Sequence, residues 1–193
     1  MVIAAGLAGD LLSKHYVFES MLADPSLRPR LEELLDGYGR ERPGMNKVLA
    51  DLRIQRQVIP GVRLTLSTNP GVVFGIAMPG PLVAVATVVT VVLVVCFFAT
   101  SPARAHWSHV GLAFIVAGAL GNLYDRLFSE VALPGLEPIS HQVRDFIDCS
   151  QIGYKWIFNA ADAYLVVGVA MLIAQWLQDG LKARKARASK GKS

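Results

Sequence analysis

Two aspartates and an asparagine beside the last long apolar segment are the residues best suited to chemistry. Asn159 and Asp162 are three residues apart, so a helix would place both on one face, and Asp145 lies a short way upstream. A carboxylate at the end of a membrane helix is costly to keep there and indicates a functional site. Two carboxyl groups that share a site repel each other, so one stays protonated while the other is ionised. Such a pair can activate water and protonate a leaving group, so we expect neither a cofactor nor a metal.

Other kinds of catalytic site find no support in the sequence. His106 and His109 fall at the opposite predicted end of the apolar segments, and His15 and His141 are isolated. No Ser/His/Asp or Cys/His arrangement, metal-ligand spacing, phosphate loop or dinucleotide fingerprint is present. Carboxylate chemistry is therefore the chemistry that the sequence predicts.

Composition indicates a membrane protein that forms a single domain over residues 1–193. The chain is 53% hydrophobic, and its charged residues cluster outside the apolar segments. The formal net charge of +4 does not indicate nucleic-acid binding, because the excess lies in a basic tail at about residues 181–193. By the positive-inside rule that tail is cytoplasmic.

Four apolar segments predict an all-α polytopic membrane protein with four transmembrane helices. Nine apolar residues precede Asp10, far fewer than a bilayer core of roughly 30 Å needs, so we expect the true start of the chain to lie further upstream. An even number of spans places both termini in the cytoplasm and residues 19–80 and 125–157 outside. The predicted spans are Met1 to about Phe18, about Pro81 to Thr100, about Ser108 to Tyr124 and about Phe158 to Leu177.

The first outer segment combines two kinds of pattern. The segment at about residues 20–57, here called the insert, contains charges of both signs and two short helical patterns. We expect the insert to be an extracytoplasmic addition whose apolar stripe rests on the bilayer surface. The alternation from Val62 to Ser67 predicts a half-buried strand, and a sharp turn follows at Asn69-Pro-Gly71.

Polar clusters lie at the predicted outer ends of the first, third and fourth spans. The turn at Asn69 and Gly71 lies just before the second span, on the same predicted side. Any one of them could be a helix cap or an interfacial residue, but their common side indicates one site. Spacing alone leaves Asp125 and Asp145 as alternative partners for Asp162. The clusters are Asp10 with Lys14, Asn69 with Gly71, Gly118 with Asn122, Asp125 and Arg126, and Asn159 with Asp162.

These motifs, in this order, resemble those of lipoprotein signal peptidases (signal peptidase II), a family of bacterial membrane aspartyl peptidases. The resemblance covers most of the chain from Asp10 onward. It rests on Asp10-x-x-x-Lys14, Asn69-Pro-Gly71-x-x-Phe74-Gly75, Gly118-x-x-Gly121-Asn122-x-x-Asp125-Arg126, Asp145-Phe146 and Phe158-Asn159-x-Ala161-Asp162.

The resemblance implies that Asp145 and Asp162 are the catalytic pair and that Asp125 is structural, paired near Arg126. Arg144 stands where the family commonly has an apolar residue, and a cation beside Asp145 would favour its ionised form. The resemblance further implies a small extracytoplasmic β-cradle beside the four helices. The remaining motif residues would support the site or bind substrate: Asp10, Lys14, Asn69, Gly71, Gly118, Asn122, Arg126 and Asn159.

The family's substrate is a prolipoprotein whose cysteine carries a diacylglyceryl group, cleaved on the N-terminal side of that cysteine. The resemblance therefore implies a bacterial cytoplasmic (inner) membrane location, an active site at the outer leaflet, contact with membrane lipids and inhibition by a globomycin-type compound. The alternative is a non-catalytic polar bundle, either an ion or proton path or a binder of lipoprotein precursors. A path predicts acids through the membrane depth, whereas here they lie at helix ends.

Overall fold

The structure is a computed structural model that describes residues 1–39, 43–73, 76–100 and 105–190. Most of these residues are helical, and the strands between the helices form one larger sheet and two short hairpins. The helices are α1 (Val2–Leu22), α2 (Leu27–Tyr38), α3 (Met45–Leu52), α4 (Gly80–Thr100), α5 (His106–Phe128) and α6 (Ala160–Lys190). The strands are β1 (Gln55–Ile59), β2 (Val62–Asn69), β3 (Val72–Val73), β4 (Ile76–Ala77), β5 (Glu130–Val131), β6 (Ile139–Ser140), β7 (Val143–Asp148) and β8 (Ile157–Phe158).

Among the described residues, three helices are long and apolar enough to cross a membrane: α4, α5 and the Ala160–Lys185 part of α6. These correspond to three of the four expected spans. The expected first span is the 21-residue helix α1, whose composition is broken by buried Asp10 and Lys14. Asp10, Lys14 and Glu19 lower the mean hydropathy of this helix, so length and composition alone do not identify α1 as a span.

Helix α5 is the centre of the helical bundle and packs against α1, α4 and α6. Its Gly- and Ala-rich middle is buried, including Ala117, Gly118 and Ala119. Small residues let neighbouring backbones approach closely, as is typical of helix packing in membranes. By contrast, α4 buries only Val83 among its side chains and presents most of its other Val residues and its Leu and Phe residues outward.

The larger sheet is antiparallel, with strand order β1-β2-β7-β8, and it includes the strand expected near Val62–Ser67. Asp145 on β7 pairs with Ser67 on β2, next to an irregularity between Leu64 and Ser67. Strand β8 ends at Phe158, two residues before α6 begins at Ala160. The sheet therefore carries Asp145 to the end of the bundle where Asp162 opens α6.

The apolar stripe of the insert is buried inside the protein, so its expected position on the bilayer surface is wrong. Leu31 of α2 and Val48 of α3 are 2% and 0% exposed. They share a hydrophobic core with Met21 of α1 and with Phe146 of β7. Because neighbouring strand residues point to opposite faces, Phe146 lies on the face of β7 opposite Asp145. The insert thus covers the back of the strand that carries Asp145.

We expect Leu31→Ala to lower the free energy of unfolding by about 2–5 kcal/mol, because it leaves a cavity in this core. Thermal unfolding of the purified protein in detergent would measure the loss. Arg28→Ala is the matched control on the same helix, because Arg28 is 79% exposed in its ion pair with Glu32 and such pairs contribute about 1 kcal/mol or less. Equal stability of the two variants would contradict the burial of the stripe inside the protein and would favour its expected position on the bilayer surface.

Candidate active site

The polar residues named from the sequence converge at one end of the bundle, where three helices meet the sheet. Asp145 is buried on β7, while Asp162 lies partly exposed in the first turn of α6. Asn122 and Arg126 approach from α5 and Asn69 from the end of β2. Phe74 and Gly75 of the turn motif lie outside the described residues.

Asn159 connects the two aspartates. Its side-chain Nδ2 donates to Asp145 Oδ1 at 2.7 Å, and its backbone N–H donates to Asp162 Oδ2 at 3.2 Å. In return, the backbone N–H of Asp162 donates to Asn159 Oδ1 at 3.0 Å. This reciprocal pairing satisfies free N–H groups at the start of α6, as a capping box does. The residue that caps the helix therefore also sets the relative position of the two carboxyl groups.

A second asparagine, Asn122, holds Asp162 from the side of α5. Its Nδ2 donates to Asp162 Oδ1 at 2.8 Å. Its Oδ1 accepts from Asn159 Nδ2 at 3.1 Å and from Lys14 Nζ at 3.1 Å. Both ends of the amide are thus occupied, and its orientation follows from the ammonium group on one side and the carboxylate on the other.

Behind the asparagines lies a buried ion cluster centred on Lys14. Lys14 Nζ is 2.8 Å from Asp10 Oδ2 and 3.1 Å from Asp125 Oδ2, and all three side chains are fully buried. The expected Asp10–Lys14 ion pair is confirmed. Asp10 Oδ1 also accepts the backbone N–H of Ala161 at 2.8 Å, which joins α1 to the start of α6.

The expectation that Asp125 pairs near Arg126 is wrong. Asp125 pairs with Lys14 and with Arg144, whose Nη2 is 2.7 Å from Asp125 Oδ1. Strand alternation is the reason, because it turns the side chain of Arg144 away from Asp145 and toward α5. The idea that Arg144 acts as a cation beside Asp145 is therefore corrected as well. Arg126 Nη1 donates to the backbone carbonyl of Asn122 at 3.2 Å.

Burial, together with the nearby charge of Asp162, raises the pKa of Asp145 to about 7. Hydrogen bonds from Asn159 and Asn69 and the charge of Lys14 act in the opposite direction but do not prevail. A carboxyl with this pKa is half-protonated near neutral pH. This is the property that acid–base chemistry near neutrality requires of one member of a carboxyl pair.

The motif glycines serve close packing and a turn. A Cβ on Gly118 would lie 2.3 Å from the backbone oxygen of Ala161, so Gly118 lets α5 meet α6. A Cβ on Gly121 would lie 2.3 Å from Asp10 Oδ2. Gly71 has φ +127°, and its N–H donates to Asn69 Oδ1 at 2.9 Å, which shapes the turn beside Asp145.

Sequence reasoning missed two contributors to this network. Arg144 was noted only as a neighbour of Asp145, although the period of two in β7 could have placed it on the other face. The N–H of Ala161 is a backbone group, and no side-chain pattern could have identified it as the partner of Asp10.

Comparison with known proteins identifies relatives along most of the chain. A family model described as signal peptidase (SPase) II matches residues 2–178. The lipoprotein signal peptidase of Aquifex aeolicus (strain VF5) is 34% identical over 125 residues, which are 62% of this chain and 68% of that protein. That of Sulfurihydrogenibium sp. (strain YO3AOP1) is 32% identical over 136 residues, which are 66% of this chain and 76% of that protein.

A solved structure described as a bacterial membrane enzyme has the same fold. Its TM-score is 0.63 at 23% sequence identity, and the alignment covers 93% of this chain and 87% of that one. A second structure with the same description gives a TM-score of 0.62, again at 23% identity, over 92% of this chain and 91% of that one.

We expect Gly121→Ala to destabilise the protein by about 1–3 kcal/mol, because the added methyl group meets a carboxylate that ion pairs and a helix N–H already hold in place. Gly180→Ala is the matched control, since it adds the same methyl group within α6 where nothing lies within 4 Å. Thermal unfolding in detergent compares the two variants. A Gly121→Ala protein as stable as the control would contradict the close approach of α5 and Asp10.

Proposed function

Because the chain belongs to the signal peptidase II family, it is a peptidase that removes signal peptides from lipoprotein precursors, and we propose that it is of the aspartic type, with Asp145 and Asp162 as its catalytic pair. The observation that carries this proposal is the bridge through Asn159, which donates to both carboxyl groups. Asp125 is the rival to Asp145 that the sequence left open. It is engaged by Lys14 and Arg144 and fully buried, which favours a structural role.

The proposed roles follow from the surroundings of each carboxyl group. Asp145, with its pKa raised to about 7, is the protonated member. Asp162 is the ionised member, since its partners, Asn122 Nδ2 and the N–H of Asn159, are hydrogen-bond donors. An anion in the first turn of α6 also interacts favourably with the helix dipole.

The reaction proceeds by attack of a water molecule on the scissile peptide carbonyl. The oxygen of the water bonds to the carbonyl carbon, and Asp162 takes a proton from that water. Asp145 meanwhile donates a hydrogen bond to the developing oxyanion. When the carbon–nitrogen bond breaks, Asp145 gives its proton to the leaving amine. The products are the carboxyl end of the signal peptide and the free amino group of the next residue. Transfer of the proton now on Asp162 to Asp145 restores the pair.

Arg126 is the proposed contact to the substrate backbone. Its guanidinium lies close enough to Asp145 and Asp162 to interact with both charges. Its buried Nε has no hydrogen-bond partner among the described residues. A buried donor without a partner is unfavourable, and a peptide carbonyl of the precursor would satisfy it. Asn69 and Gly71 would then line the turn along which the precursor passes.

The substrate we propose is a precursor whose cysteine carries a diacylglyceryl group, cleaved on the N-terminal side of that cysteine. The outward apolar surface of α4 suits lipid chains. Asp162 lies in the first turn of α6, at one end of a candidate span, where the end of a membrane-embedded signal peptide would come within reach. We infer that α1 completes a four-helix bundle in the bacterial inner membrane, with both termini cytoplasmic and the pair at the outer leaflet. A globomycin-type inhibitor would compete for the same site.

We expect Asp145→Asn and Asp162→Asn each to reduce cleavage of a diacylglyceryl-modified precursor by at least about 100-fold, because asparagine keeps the shape but cannot exchange the proton. Cleavage by purified, monodisperse protein in detergent is the measurement. Asp148→Asn is the matched control: Asp148 lies on the same strand, and its partners are Arg63 and Ser150. Normal turnover by a folded Asp145→Asn protein would refute the assignment.

A further inference from the structure

Arg144 makes a three-point contact with Asp125. Its Nε and Nη2 lie 3.1 Å and 2.7 Å from Asp125 Oδ1, and its backbone N–H donates to Asp125 Oδ2 at 3.0 Å. The side chain of Arg144 is 14% exposed and that of Asp125 is fully buried. Hydrogen bonds between ionised partners are stronger than neutral ones, and burial reduces their screening. The contact therefore fixes strand β7 against helix α5 one residue before Asp145.

Arg144 also completes the charge balance of the buried cluster. Lys14 contacts two carboxylates, Asp10 and Asp125, so without a second cation these three groups would carry one excess negative charge. Arg144 supplies that cation. An uncompensated buried charge is strongly unfavourable, so the balance matters to the geometry of every group in the cluster.

The cluster reaches the reacting groups through one amide. Lys14 Nζ donates to Asn122 Oδ1 at 3.1 Å, and Asn122 Nδ2 donates to Asp162 Oδ1 at 2.8 Å. A reversed amide would set an N–H donor against the ammonium group and an oxygen against the carboxylate, so Lys14 determines which end of Asn122 faces Asp162. The contacts form a continuous chain from Arg144 through Asp125, Lys14 and Asn122 to Asp162.

We propose that Arg144 is a positioning residue for the peptidase reaction: by neutralising Asp125 it leaves Lys14 to hold Asn122, and Asn122 holds Asp162. This inference rests on the proposed pair of Asp145 and Asp162. It differs from a purely structural role, because loss of Arg144 would change the charge that the pair experiences as well as the stability of the fold.

The sign of that change follows from the charged groups around the pair. Removal of Arg144 leaves a net negative charge on the cluster, which opposes loss of the proton from Asp145. The pKa of Asp145 then rises above about 7. The alkaline limb of the pH–activity profile, where activity falls as Asp145 loses its proton, moves to higher pH. The charged groups that interact with the pair are Lys14 from α1 and Arg126 from α5. Asp10 and Asp125 lie behind them in contact with Lys14, and Arg63 and Asp148 form a separate ion pair further along the sheet.

The test compares full-length Arg144→Leu, Arg144→Lys and the double variant Arg144→Leu/Asp125→Asn with the unchanged protein. We expect Arg144→Leu to lower kcat about tenfold with little change in KM, and to shift the alkaline limb upward by about one pH unit. Arg144→Lys keeps the charge and should keep the limb. The double variant restores a neutral cluster and should return the limb to its original position.

Arg63→Leu is the matched control, because it removes an arginine–aspartate ion pair from the same sheet outside the chain of contacts that leads to Asp162. An Arg144→Leu protein with an unshifted limb would overturn the inference, even if it were less stable. A double variant that keeps the shifted limb would also overturn it, since the charge on Asp125 would then not be the cause. If Arg144→Leu fails to fold, the inference requires that the alkaline limb of the pH–activity profile be unshifted in both Arg144→Lys and the double variant Arg144→Leu/Asp125→Asn. Turnover by Asp145→Asn would instead overturn the proposed function.

Discussion

Lys14 lies with its ammonium group fully shielded from water, and the arrangement of the site depends on satisfying that charge. An unpaired buried ammonium would cost several kcal/mol, so carboxylates and an amide oxygen must be held around it. Asp10, Asp125 and Asn122 meet this requirement at 2.8–3.1 Å. Since these partners come from α1 and α5, the cation fixes how the two helices pack. Gly121 provides the space that the Asp10 carboxylate needs.

The same cluster determines what the two reacting carboxyl groups experience. Asp10 accepts the N–H of Ala161 and so fixes the first turn of α6, which carries Asp162. Asn122 and Asn159 then orient Asp162, and Asn159 also donates to Asp145. Because Asp145 is buried on the sheet and Asp162 is partly exposed at a helix start, their environments differ. Two chemically identical groups are thereby suited to different roles.

The sequence predicted the local features of this site well. Spacings of three and four residues placed the polar side chains of α1 and α5 on common helix faces, and their convergence on Asn159 and Asp162 is now described by direct contacts. The period of two predicted the strand that pairs with β7. The roles assigned to these residues remain proposals, and the assignment of Asp145 over Asp125 came from family resemblance.

Features that depend on distant partners could not be predicted in this way. The apolar stripe of the insert shows the same pattern whether it faces lipid or protein, and Phe146, which it covers, lies about 100 residues away in sequence. The alternation in β7 places Arg144 on the face opposite Asp145, but it does not show that α5 brings Asp125 to that face. In both cases the missing information was the identity of the opposite surface.

The central claim is that the carboxyl pair holds one shared proton, carried by Asp145 and lost near neutral pH. Infrared difference spectroscopy of the purified protein during a pH titration tests it most directly, because a protonated carboxyl group has its own C=O stretching band. We predict a band that disappears with a midpoint near pH 7 and is absent from Asp145→Asn. A protonated-carboxyl band that has already disappeared when the rising pH reaches roughly 5, as ordinary aspartates would give, would contradict this claim. So would an unchanged band in Asp145→Asn.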